Sequence, residues 1–142
     1  MSSPTDDART KRYRDYLETE LEAAALYQRL SEVEPDRDRA VVFSRLVEAE
    51  LRHATRWSQK LGSDSVKVDP IEPTLKVRAM GWAAQVFGTS RVLPLLLRLE
   101  AREMEAYSAD PEAQDIIAEE RSHARTLRSM SRPPHASGAR WA

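Results

Sequence analysis

The sequence predicts an all-α protein, a four-helix bundle of two helical hairpins joined by a long crossover that contains a short extra helix. Only four glycines and two phenylalanines occur in 142 residues, while Ala, Leu, Glu and Arg dominate, a composition that favours helix over strand. Apolar residues recur at three- and four-residue spacing in four segments. Breakers fall between those segments: Glu34-Pro35-Asp36, then Gly62 with two prolines in residues 63–73, then Asp110-Pro111-Glu112.

The first helix is expected from about Asp6 to about Val33, with Tyr13, Leu17, Glu20, Ala24, Tyr27 and Leu30 on one stripe. Glu20 falls inside that stripe, whereas Glu22 points away and is expected to be solvated. After the Pro35 break a second helix runs to Leu61, with Val42, Phe43, Leu46, Glu50, His53, Trp57 and Leu61 inward; Gly62 is a suitable stop. Residues 63–73 lack periodicity and form a connection, and Thr74 to Phe87 makes a short amphipathic helix bearing Met80 and Trp82. Thr89 or Ser90 is expected to cap a third bundle helix, where Pro94 is tolerated in the first turn and Leu93, Leu96, Glu100, Glu103 and Tyr107 face inward. Asp110 caps the fourth, Pro111 takes its first position, and Ala113, Ile116, Glu120, His123, Leu127 and Met130 line its inner face to about Ser131. Residues 1–131 thus make one domain, and the Pro- and Gly-containing residues 132–142, with His135, read as a disordered tail or linker without a role in a site.

Composition excludes several classes of function. With 22 Lys and Arg against 23 Asp and Glu, no basic excess exists to hold nucleic acid, and none is expected as a partner. Cysteine is absent, so any metal must be held by His and carboxylate. Met1 to Tyr13 is polar rather than apolar, which predicts no export signal. The most apolar run, Val92 to Leu99, contains Arg98 and is far shorter than the roughly 20 residues a span requires. A soluble protein is expected.

Two of the three histidines sit three residues after a glutamate, in Glu50-Leu51-Arg52-His53 and Glu120-Arg121-Ser122-His123. Residues three apart share a helix face, so each motif aims a carboxylate and an imidazole at one point. Turn positions test whether further carboxylates join them. Glu20 and Glu50 each lie 15 residues from Pro35, and Glu100 and Glu120 each lie 10 residues from Asp110. At about 1.5 Å of rise per residue each pair is level, about 15 to 22 Å from its turn. The halves also repeat a tyrosine seven residues on, Tyr27 after Glu20 and Tyr107 after Glu100.

A single glutamate in an apolar stripe is often a long side chain reaching water. Burying several unpaired carboxylates, however, would cost several kcal/mol each. Four glutamates and two histidines at mid-bundle are the set found in di-iron and di-manganese bundles, and hard carboxylates with imidazoles suit iron or manganese. Glu103 lies one turn nearer Asp110, level with Ile117, and is either an alternative ligand or a rim carboxylate. Tyr27 and Tyr107 are core aromatics whose hydroxyls need partners, which a metal-bound carboxylate across the bundle would supply. Trp57 and Trp82 read as packing or interface residues.

Glu20 with Ala23 and Tyr27, Glu50 with His53, Glu100 with Glu103, and Glu120 with His123 resemble the rubrerythrin branch of the ferritin-like superfamily. The stretch Tyr16 to Met130, including AAALYQRLSE, AELRHATRW, RVLPLLLRLEA and AEERSHARTLRSM, resembles the N-terminal ferritin-like domain of membrane-bound ferritins, where it is fused to a vacuolar-iron-transporter-like membrane region. This resemblance implies a centre of two Fe ions, with Mn as the substitute. Glu50 and Glu120 would bridge, Glu20 and Glu100 would be terminal carboxylates, His53 and His123 would each complete one site, and Glu103 would be an extra or exchangeable ligand. It further implies oxidation of Fe(II) by O2 or H2O2, a ferroxidase activity serving iron export, storage or detoxification. A homodimer with Thr74 to Phe87 as its contact, and a fused or associated membrane iron transporter, are the implied partners. The location implied is cytoplasmic, or the cytosolic side of an inner-membrane protein.

Two departures qualify the resemblance. No cysteine-ligated rubredoxin module is present, so a peroxidase cycle would need an external electron donor, and the sequence stops before any membrane segment. The rival expectations are a peroxide-scavenging di-iron or dimanganese protein and an iron-sensing module without turnover.

Overall fold

A computed structural model describes residues 3–62 and 73–130. Those residues form five α-helices and two 3-10 turns: α1 Pro4–Val33, α2 Arg37–Lys60, α3 Leu75–Phe87, a turn at Thr89–Arg91, α4 Leu93–Tyr107, a turn at Pro111–Ala113, and α5 Gln114–Met130. The all-α expectation holds, with no strand among the described residues. Residues 63–72 of the connection predicted over 63–73, and the predicted tail over 132–142, lie outside the described residues.

Helix ends follow local chemistry, with three departures from expectation, one being that Asp110 caps the 3-10 turn Pro111–Ala113 and α5 begins only at Gln114. α1 begins two residues earlier than predicted, because Ser3 and Asp6 form a capping box: the Asp6 amide donates to Ser3 Oγ at 3.1 Å and the Ser3 amide donates to Asp6 Oδ2 at 3.4 Å. Pro4 occupies the first turn, where its missing N–H is not needed. Gly62 follows the end of α2 with a left-handed φ of 79°, as its stop position requires. A further departure is at α4, which starts after Val92 with no side-chain cap. Thr89 and Ser90, the expected caps, are engaged elsewhere.

They are held by Arg39. From α2 this buried guanidinium donates to Thr89 Oγ1 at 2.9 Å, Ser90 Oγ at 3.1 Å, the Met130 carbonyl at 2.8 Å and Glu34 Oε1 at 3.1 Å. The Thr89 hydroxyl in turn donates to Glu34. One side chain thereby ties the α1–α2 turn to the start of α4 and the end of α5. Removing one partner of a buried ion pair strands the other, so Arg39→Ala is expected to destabilise the protein by about 3 kcal/mol, measured by urea unfolding.

α1 packs along α2 and α4 along α5, while α3 lies on α1. Side chains connect the hairpins. α1 reaches α4 through Tyr27–Glu100 and Tyr107–Glu20 contacts, and α2 reaches α5 through Arg56, which donates to Asp115 Oδ1 at 2.8 Å. Two apolar cores result. One holds Leu30, Phe43, Leu46, Leu93, Leu96, Leu127 and Met130; the other, toward Asp110, holds Tyr13, Tyr16, Trp57, Tyr107, Ile116 and Ile117. Along each helix the change from one core to the other passes a glutamate: Glu20 lies between Tyr16 and Ala24, Glu50 between Leu46 and Trp57, Glu100 between Leu96 and Tyr107, and Glu120 between Ile116 and Leu127. Those four residues form a polar layer inside an apolar stack.

α3 is apolar on two faces. Val77, Met80, Gly81 and Ala84 are buried, whereas Leu75, Trp82, Val86 and Phe87 are exposed. Met80 and Trp82 therefore face opposite ways. No described helix is long and apolar enough to cross a membrane.

Candidate metal centre

The polar layer brings together six of the seven residues predicted as metal ligands: Glu20, Glu50, His53, Glu100, Glu120 and His123. Glu20, Glu50 and Glu120 are fully buried, and Glu100, His53 and Glu103 are 1%, 5% and 6% exposed. His53 Nδ1 lies 3.2 Å from Glu120 Oε1, 3.4 Å from Glu20 Oε2 and 3.9 Å from Glu50 Oε2. His123 Nδ1 lies 3.3 Å from Glu50 Oε1 and 3.5 Å from Glu120 Oε2. The two imidazole rings stand 6.3 Å apart between centroids. Two groups of potential ligand atoms result, each within 4.8 Å: Glu20, Glu50, His53 and Glu120, and Glu50, Glu100, Glu120 and His123. Glu50 and Glu120 belong to both.

These short separations are not hydrogen bonds. Nine buried side-chain atoms among the described residues have no hydrogen-bond partner, and all belong to this cluster: Glu20 Oε2, both oxygens of Glu50 and of Glu120, Oε2 of Glu100 and of Glu103, and Nδ1 of both histidines. Buried polar atoms are ordinarily paired, and leaving one unpaired costs about 1–3 kcal/mol. A shared cation is what converging carboxylate oxygens and imidazole nitrogens satisfy. The cluster is therefore one that could hold metal.

Hydrogen bonds around the layer orient its outer members. The Tyr107 hydroxyl donates to Glu20 Oε1 at 2.6 Å and accepts from Trp57 Nε1 at 3.1 Å; the Tyr27 hydroxyl donates to Glu100 Oε1. Each tyrosine thus crosses to the carboxylate of the other hairpin, an exchange set by the sevenfold Glu-to-Tyr spacing on both α1 and α4. In each pair the bonded oxygen is turned aside and Oε2 is left toward the layer. Burial and the neighbouring carboxylates hold both phenols well above their usual range, so they remain donors.

Without metal the layer carries protons. Burial, then neighbouring carboxylates, pushes Glu50 and Glu103 well above the carboxylate range and Glu100 up to about 10. For His53 burial works against charge, but contacts with Glu120 and Glu20 outweigh it and raise the imidazole to about 10. Glu120 shows the converse: burial would raise it, and His123 and His53 together hold it below the usual range. Without metal the layer thus favours charge on Glu120 and His53 and protons on Glu50, Glu100 and Glu103.

Glu119 was missed by inner-face reasoning. Its Oε2 lies 2.6 Å from His53 Nε2, on the side away from the cluster, and its side chain is 47% exposed, with Arg52 Nη2 at 3.8 Å. A carboxylate on Nε2 fixes which nitrogen of the ring faces inward. The available signal was the Glu119-Glu120 doublet, since one step along a helix turns a side chain about 100°, here toward α2. On the two-metal reading proposed below, Glu119→Ala is expected to weaken metal binding at the His53 position about 10- to 100-fold and to spare the His123 position. A metal titration that resolves two affinities would check this.

Glu103 is buried with the others but enters neither four-residue group. Glu22, expected to be solvated, is half-buried, with its carboxylate 3.9 Å from Lys76 Nζ on α3. Compared with known proteins, the chain matches no family model, no curated protein and no solved structure.

Proposed function

We propose that the chain is a ferritin-like bundle of the rubrerythrin type, binding two iron ions in the Glu/His layer and oxidising Fe(II). The observation that supports this best is the overlap of the two ligand groups at Glu50 and Glu120. In this reading those two carboxylates would serve both ions, Glu20 with His53 would complete the set holding one, and Glu100 with His123 would complete the set holding the other. Glu103 is an exchangeable ligand, and Mn(II) is the alternative occupant. Bound there, two Fe(II) supply one electron each to one O2, which leaves as H2O2 after taking up two protons; with H2O2 as oxidant the products are two waters.

The chain's own groups prepare this. Glu50, Glu100 and His53 give up their protons when cations replace them, and Tyr27 and Tyr107 hold the terminal carboxylates in place. The two apolar cores keep bulk water from the layer. A homodimer through the exposed face of α3, and attachment to a membrane iron transporter, belong to the same proposal by family resemblance.

The test is stopped-flow oxidation of protein loaded with Fe(II) without oxygen. Rapid Fe(III) absorbance on adding O2, repeated over many Fe(II) equivalents, is the expected result. Binding without oxidation would favour an iron-sensing module, and turnover with H2O2 alone would favour a peroxide scavenger.

A further inference from the structure

A groove of about 320 Å³ runs between α1, α3 and α4. Ala23, Met80 and Ala106 contribute to its largely apolar wall, with Glu22, Lys76 and Arg102 among its polar residues. Of the seven candidate ligands, Glu103 alone lines it, and Oε2 of that side chain is buried without a partner. Both histidines stand on α2 and α5. The groove therefore approaches the layer from its histidine-free side, where α1 and α4 supply only carboxylates.

We propose that this groove is the passage by which a small uncharged oxidant, O2 or H2O2, reaches iron held in the layer. The inference rests on the ferroxidase reading above. Charge separates the oxidant from the cation as the traveller. The two cations Lys76 and Arg102 at least offset Glu22 and Glu103, so the groove offers no net attraction to Fe(II), and an apolar wall cannot replace the waters of a hydrated cation. An uncharged molecule the size of O2 pays neither cost.

The experiment fills the groove from its exposed positions. Thr19 and Ala106 both line it and are exposed, so Thr19→Phe and Ala106→Phe narrow the passage without entering the core; Ala118→Phe, exposed on α5, is the control. Full-length protein loaded with Fe(II) under anaerobic conditions is mixed with O2 in one arm and H2O2 in the other. Fe(II) stoichiometry and uptake rate are expected to match wild type in all three variants. Oxidation is expected to slow roughly fivefold or more in the two groove variants, and to be unchanged in the control. Oxidation at the wild-type rate in both groove variants overturns the proposal, as does slowed Fe(II) uptake with normal oxidation, which would make the groove a cation path. If wild type binds Fe(II) but never oxidises it, the ferroxidase reading itself fails, an outcome distinct from either.

Discussion

Glu120→Ala is expected to abolish metal binding at both positions, with helix content retained by circular dichroism. Glu120 contributes to both four-residue groups, one oxygen lying 3.2 Å from His53 Nδ1 and the other 3.5 Å from His123 Nδ1. Losing even an outer partner of a ligand costs about 10- to 100-fold in affinity, so losing a shared ligand should exceed roughly 100-fold at each position. Glu50→Ala should behave alike. Glu20→Ala and Glu100→Ala, each confined to one group, should each weaken one position more than the other. Isothermal titration with Co(II) or Mn(II) would read all four variants. Equal losses across them would argue against shared carboxylates.

The metal-free protein is expected to be most stable near pH 5 and to lose stability steadily toward pH 10. Glu50, Glu100 and Glu103 hold protons in the folded state well above the value of 4.5 that applies when exposed, Glu100 to about 10. Their contribution is fully present below 4.5 and is lost as pH rises through the folded values. His53, raised from 6.5 to about 10, has the same sign: its contribution is complete below 6.5 and fades through about 10. Glu120 has the opposite sign, being lowered from 4.5, and its contribution disappears only in acid. Between these limits the folded chain binds more protons than the unfolded one, so alkali favours unfolding.

Metal should reverse that slope, because it takes the places of the protons. At a free metal concentration 100 times Kd each site adds about 2.7 kcal/mol, roughly 10 °C in Tm for a domain of this size. Thermal unfolding at pH 5, 7 and 9, with chelator and with Mn(II), would check both signs. A chelated protein whose Tm rises from pH 5 to 9 would contradict this picture of the layer.

What could be read from the sequence was set by helix geometry. A rod of fixed rise, folded at Pro35 and again at Asp110, leaves little freedom in which residues stand level, so the sequence alone places Glu20, Glu50, Glu100 and Glu120 in one layer. The same arithmetic left Glu103 one turn away, and the structure keeps it buried yet outside both ligand groups. What could not be read depends on contacts distant in sequence. Thr89 and Ser90 look like caps for α4, but Arg39, 50 residues away, takes both hydroxyls. Glu119 looks like solvent-facing surface until His53, 66 residues away, is set beside it. The start of α1 is a different case, because the Ser3-Pro4-Thr5-Asp6 capping box was local and could have been recognised.

Anaerobic equilibrium titration of the wild-type chain with Fe(II), with released protons measured in the same experiment, tests the central claim most directly. Two Fe(II) bound per chain, with several protons released at pH 7, is the result expected of a carboxylate layer that exchanges protons for cations. No Fe(II) bound, or binding that releases no protons and persists in Glu120→Ala, would contradict it.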